Sequence, residues 1–221
     1  ARATRPVTRL LVLCDVDGTL FLTHDPLAGT ALRVTLESLY GVELPDDAAE
    51  RVDHAGQTAL RIARLVLRDA GLADEEITPR LAAWCPLFAA RYCELLAVAN
   101  TSGWQAAPGA EASLGRLAEA GHRLALLTGN PEPMARARME RLGLARFFPP
   151  GQGAFGCDAE SRTDLVHIAR ERAGDWPAEA TVEIGDTSLD ASSSTAAGIR
   201  SILVDASGFA GAAERLLTSA A

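Results

Sequence analysis

The chain has 221 residues, 48% of them hydrophobic, and a formal net charge of -8. That hydrophobic share is ample for a buried core, in one large domain or in a core with a smaller companion. The acidic balance shows no basic patch, which argues against a nucleic-acid or anionic-membrane partner; an anionic ligand would need its charge corrected locally, by a metal, a helix terminus or an arginine.

All 21 basic residues are arginine, which excludes chemistry that depends on a lysine amine. The 4 cysteines, Cys14, Cys85, Cys93 and Cys157, form no C-x-x-C pair. They are expected to be free, buried thiols in a reducing cytosol, with the protein cytoplasmic. The basic N-terminal stretch ARATRPVTR is followed by a short apolar run that meets Asp15 and Asp17, which argues against a signal peptide. No segment is expected to approach the length of a membrane helix.

In chain order, LLVLCDV is the first short apolar run and is expected to be a buried strand. From about Leu27 to Ala99 only helical periodicity follows, in LAGTALRVTLESLYG, QTALRIARLVLRDAG and PRLAAWCPLFAARYCELLAVA. A crossover needs one helix, not three, so this interval is expected to be an all-helical insert after the first strand, with NTSGWQAAPG as the return. Helix and strand then alternate: GAEASLGRLAEAG, HRLALLT, EPMARARMERLG, SRTDLVHIARERAG, ATVEIG, SLDASSSTAAG and RSILVDA. The pattern predicts an α/β fold, a doubly wound Rossmann-like parallel sheet with helices on both faces. Residues 1–22 and 101–221 would form this core and 23–100 the helical insert.

Three of the predicted strands end on polar groups: Asp15, Thr128 followed by Gly129 and Asn130, and Asp186. In an open parallel sheet, ligands bind at the carboxyl ends of strands, so these groups should converge. Asp15 and Asp17 lie on one side of an extended chain. Such a pair can divide nucleophile or metal ligand from proton carrier if its environments differ. Gly18 and Thr19 would allow a tight exit with backbone amides free to meet an anion. Asn130 is a good N-cap, with Pro131 at the first helical position of an anion-binding helix start. Asp186 and Asp190 suit a hard cation, Mg²⁺ above all beside phosphate. Arg162, before a helix, is either a phosphate-binding cation or a solvated helix-start residue. Each feature alone has a plain structural reading, as a turn, a cap or a solvated helix end. Their coincidence at three strand ends does not.

DVDGTL, LLTGN, Arg162 and GDTSLD resemble the four motifs of the haloacid dehalogenase-like hydrolase superfamily, in order and spacing over essentially the whole chain. The nearest resemblance is to its phosphoglycolate-phosphatase-like members, which carry a helical cap after the first motif. The resemblance implies a hydrolase of small phosphate monoesters. Asp15 would be the nucleophile forming an aspartyl-phosphate, and Asp17 the acid and base. Mg²⁺ would bind the Asp15 carboxylate, the Asp17 carbonyl oxygen and Asp186, with Asp190 in support. Gly18, Thr128, Gly129, Asn130 and Arg162 would bind phosphate, Arg162 standing where lysine is frequent. Partners would be a small-molecule phosphate ester, with no nucleic acid or membrane, and the chain a monomer or homodimer.

Some positions depart from the family. HAGQTALRI resembles its G-x-T-D substrate loop, but Ala59 replaces the aspartate. The serines of DASSSTAAG replace an alanine-rich helix and should weaken it slightly. Glu183, inside an apolar strand, is expected to be a paired structural carboxylate, with a role in the site left open. His24 and His54 are either polar surface or hinge residues or substrate contacts from the cap. The alternative function is a β-phosphoglucomutase-like phosphosugar mutase. A 2-haloacid dehalogenase is disfavoured by Asp17, a phosphonoacetaldehyde hydrolase by the missing lysine, and a response-regulator receiver by the missing lysine and the large insert.

Overall fold

The computed structural model describes residues 9–219; residues 1–8 of the basic N-terminal stretch lie outside them. Five strands form one parallel sheet: β1 (Leu11–Cys14), β2 (Arg123–Thr128), β3 (Ala154–Phe155), β4 (Thr181–Gly185) and β5 (Arg200–Leu203), in the order β3-β2-β1-β4-β5. The register sets Leu11 of β1 between Arg123 of β2 and Thr181 of β4. Every residue of β1 is buried, because helices cover both faces of the sheet.

Side chains alternate between the faces. Val12, Cys14, Leu124, Leu126, Val182 and Ile184 pack beneath α4 (Ala110–Glu119), α5 (Glu132–Arg141) and α8 (Gly208–Ser219). Leu11, Leu13, Ala125 and Leu127 face α6 (Arg162–Arg172) and residues just after α7 (Ser188–Ala196). Two elements go beyond what periodicity predicts. β3 has two residues, too few for an alternation signal, and the glycines Gly208 and Gly211 dilute the helical signal of α8.

Between β1 and α4 the chain forms three helices, α1 (Pro26–Tyr40), α2 (Ala59–Asp69) and α3 (Asp74–Val98). Asp25 caps α1 by accepting from the Leu27 amide at 3.0 Å, Pro26 opens the first turn, and Gly41 closes the helix at φ 70°. The three helices share a core in which Leu36, Leu67, Ile77, Trp84 and Tyr92 are fully buried. Trp84 Nε1 donates to Thr35 Oγ1 at 2.8 Å, so the indole is buried with its polar group satisfied. By length and composition α3 is apolar enough to cross a membrane, which corrects the expectation that no segment is. Its apolar side packs against α1 and α2.

The expectation of four free thiols is also corrected. Cys85 of α3 and Cys157, just beyond β3, form a disulfide with their Cα atoms 5.9 Å apart. Sequence spacing could not show it, because the partners are 72 residues apart and meet only where the helical layer lies on the sheet. Cys14 and Cys93 are free. Denatured, unreduced protein should therefore titrate two thiols and reduced protein four. Closing so long a loop constrains the unfolded chain, so reduction should lower stability by about 2–4 kcal/mol, read from denaturant midpoints.

Candidate active site

The strand order turns back between β1 and β4, and the crevice of an open sheet lies at such a point. Asp15 stands at the end of β1, its amide still bonded to the Ile184 carbonyl of β4 at 2.9 Å. The chain then turns sharply. Gly18 has φ +76°, and a Cβ there would lie 2.1 Å from Asp186 Oδ2. Glycine is thus required by backbone conformation and by the carboxylate packed on it. The turn closes on itself: the Gly18 amide donates to the Phe21 carbonyl at 2.9 Å and the Thr19 amide to the Val16 carbonyl at 3.3 Å. Those two amides are committed to the turn rather than free for an anion, which corrects the sequence expectation. Thr19 Oγ1 donates to Asp186 Oδ1 at 3.4 Å.

Arg162 is the first residue of α6, whose start is capped by Ser161, and its side chain is 2% exposed. It is no solvated helix-start residue. One terminal nitrogen lies 3.0 Å from Asp15, 3.2 Å from Glu183 and 2.6 Å from Asp190. The other donates to the Gly56 carbonyl of the helical insert at 3.1 Å. Burial works against the guanidinium charge, but Asp15, Asp190 and Glu183 outweigh it and hold the group protonated. Burial pushes the Asp15 carboxyl well above the usual range, opposed by Arg162 and reinforced by Asp190 and Asp17. Glu183 is pushed up to about 7 by burial, against Arg162 and a hydrogen bond from Ser194. Glu183 is therefore a paired buried carboxyl that braces Arg162. Ser194, from the serine-rich helix, is its second partner. Asp190 also completes a capping box, its Oδ2 accepting from the Thr187 amide and hydroxyl, both at 2.8 Å.

On the other side of Asp15 is the end of β2. Thr128 is buried, and its Oγ1 accepts from the Asn130 side chain at 3.0 Å. Asn130 does not cap α5 as predicted; Pro131 holds that position without a side-chain cap bond. The Asn130 side-chain nitrogen instead donates to Asp17 Oδ2. Asp17 Oδ1 accepts from Arg138 of α5 at 2.7 Å, a residue absent from the sequence reading because it sits in a helix interior. The two aspartates thus have different surroundings. The Asp15 side chain is 8% exposed and faces Arg162, whereas that of Asp17 is 55% exposed.

Above these groups lies a cavity of about 530 Å³, with Asp15, Asp17, Thr128, Asn130, Arg162 and Asp186 on its floor. The helical layer supplies the roof, including Leu32, Gln57, Ile62 and Phe88, and both His24 and His54 line it while remaining exposed. The roof meets the floor through backbone. The Ala59 amide donates to the Gly129 carbonyl at 2.8 Å and the Leu60 amide to the Gly156 carbonyl at 3.2 Å. A Cβ on Gly129 would lie 2.0 Å from the Gln57 carbonyl oxygen. Ala59, the departure from the family's substrate loop, is buried in this seam.

Asp15, Asp186 and Asp190 offer carboxylate oxygens within 4.8 Å of one another. Burial and Asp190 raise the Asp186 carboxyl. Asp190 Oδ1 accepts no hydrogen bond of good geometry although it is buried beside Arg162. Acids crowded around one guanidinium leave a surplus of negative charge, and an all-oxygen donor set suits a hard divalent cation. The donors present therefore fit a metal of that class.

Two measurements check this arrangement. Glu183→Ala leaves Arg162 short of a buried partner and opens a void, and should cost about 3–5 kcal/mol of stability by denaturant unfolding. Gly129→Ala should push the Gln57 backbone off the floor, lowering stability by about 1–3 kcal/mol and kcat/KM at least about tenfold, since a displacement near 1 Å suffices for such losses of activity.

A family model for haloacid dehalogenase-like hydrolases matches residues 10–198. The chain is 31% identical to a phosphoglycolate phosphatase of Rhodospirillum rubrum over 191 residues, 85% of this chain and 76% of that one. It is 30% identical to a phosphoglycolate phosphatase of Mesorhizobium japonicum over 207 residues, 90% and 84% of the two chains. In three dimensions it resembles CbbY from Rhodobacter sphaeroides, solved in complex with phosphate, with a TM-score of 0.61 and 21% identity over 89% of this chain and 86% of that one. With its motif residues drawn together at the β1–β4 crevice and the family model spanning most of its length, the chain belongs to the haloacid dehalogenase-like hydrolases.

Proposed function

We propose that the chain is a Mg²⁺-dependent phosphatase of small phosphate monoesters that works through an aspartyl-phosphate. The observation that carries this reading is the divergence of two aspartates two residues apart: Asp15 buried against Arg162, and Asp17 open to the cavity and held by Asn130 and Arg138. Environments that differ in this way let one carboxyl act as nucleophile and its neighbour carry protons.

In the first step an Asp15 oxygen attacks phosphorus, the bond to the leaving oxygen breaks, and Asp17 delivers a proton to that oxygen. In the second, Asp17 takes a proton from water, the water oxygen attacks phosphorus, and the bond to Asp15 breaks, releasing inorganic phosphate. Arg162 holds Asp15 in place, and with Thr128, Gly129 and Asn130 it faces the phosphate oxygens, with the Gly18 turn beside them. Asp15, the Asp17 carbonyl and Asp186, with Asp190 in support, would hold Mg²⁺, which would supply neutralisation of the charge on the transferring group. Residues 23–100 serve as a cap over the parallel sheet and its covering helices, shutting out water and selecting the leaving group. The curated relatives at about 30% identity support a phosphoglycolate-like substrate.

With Mg²⁺ and p-nitrophenyl phosphate, Asp15→Asn should reduce turnover by at least about a thousandfold while leaving the thermal transition in place. Full activity in that variant removes the nucleophile assignment. Chelation should abolish turnover of the native protein and added Mg²⁺ restore it. A panel containing 2-phosphoglycolate and sugar monophosphates should yield free phosphate from its best substrate; a sugar-phosphate isomer without free phosphate makes the protein a mutase instead.

A further inference from the structure

Arg138 has no part in the four motifs, yet it lines the cavity and is 2% exposed. All three of its guanidinium nitrogens are engaged. One donates to Asp17 Oδ1 at 2.7 Å, another to Asp25 Oδ2 at 2.8 Å, and Nε to the Tyr92 hydroxyl at 3.1 Å. The Tyr92 hydroxyl in turn donates to Asp25 Oδ2 at 2.7 Å. The guanidinium carbon lies 5.0 Å from the centre of the Phe21 ring and 5.5 Å from that of Tyr92. Asp25 caps α1, where the helical insert begins, and Tyr92 stands on α3, towards the end where it returns. A buried cation with this many fixed partners has one orientation.

Asp17 itself is open to the cavity and would sample several rotamers unaided. Arg138 pins one of its oxygens and Asn130 the other. We infer that Arg138 is a positioning residue for Asp17, setting its carboxyl orientation while the helical insert sits closed, through the joint grip of Arg138 on Asp17, Asp25 and Tyr92. This rests on the proposed acid and base role of Asp17. A shift of α1 and α3 relative to α5 would break the Asp25 and Tyr92 contacts and loosen Asp17 with them, so cap position and proton transfer are tied by one side chain. Proton transfer is sensitive to such placement because donor and acceptor must come within hydrogen-bond reach.

The test compares Arg138→Leu, Asp17→Asn and the combination on p-nitrophenyl phosphate with Mg²⁺. Arg138→Leu should lower kcat about 10–100-fold with KM changed less than about threefold, a part of the roughly 10²–10⁴-fold that a general acid–base group contributes. Added to Asp17→Asn, it should leave the residual turnover unchanged, because its effect passes through Asp17. Should loss of the cation strand buried Asp25 and prevent folding, Asp25→Asn/Arg138→Leu removes both charges and carries the same expectation. A kcat within twofold of the native value in a folded Arg138 variant, or an equal loss in both Asp17 backgrounds, overturns the inference while the acid–base reading stands. Native kcat in Asp17→Asn overturns that reading, and the inference with it.

Discussion

The site depends on one buried cation. Arg162 meets Asp15 from β1, Glu183 from β4 and Asp190 from α7, and it also reaches the Gly56 carbonyl of the helical insert. Desolvating each such ion costs several kcal/mol, which geometry and partners must return. Here the partners come from the end of β1, the insert and the β4–α7 stretch, so the ion cluster is complete only when sheet, α6, α7 and insert are all in place. The surroundings of Asp15 are therefore complete only in the assembled fold. The carboxyls outnumber the guanidinium, so the cluster has oxygens to offer a further cation beside Asp15.

A second arginine does for Asp17 what Arg162 does for Asp15. Both aspartates leave the same strand end, just before the turn at Gly18, and meet different partners. One carboxyl points into the acidic crevice and the other towards α5. The turn tolerates no side chain at Gly18 because Asp186 lies directly against it. A local conformational demand and the close packing of Asp186 are thus met by the same residue. Similar economy appears in α7, where Asp190 caps its own helix and faces Arg162, and Ser194 satisfies Glu183.

The helical layer is joined to the sheet by close backbone contact, a buried ion pair and a covalent bond. Gly129 and Gly156 have no room for a Cβ where α2 begins. Arg138 ties α5 to Asp25 and Tyr92, and the Cys85–Cys157 disulfide bridges α3 to the segment after β3. These contacts enclose the cavity between the two layers. The arginines lining it, Arg138 and Arg162, are already paired with carboxylates.

Elements with long, clean periodicity were legible: the four longer strands, the three inserted helices, and the polar residues at the strand ends. Apolar runs must be buried, and short runs between helices have few ways to be buried other than a parallel sheet. The motif spacing likewise brought Asp15, Thr128, Arg162 and Asp186 to one edge. What sequence could not decide was pairing. Glu183 and Ser194, Arg138 and Asp17, and Cys85 and Cys157 lie from 11 to 121 residues apart, and their partnership arises only from how layers stack. The use of the Asn130 side chain was decided in the same way. Local propensity offered it a capping role, and Asp17 took the group instead, since a polar group that loses water near the site goes to the partner within reach.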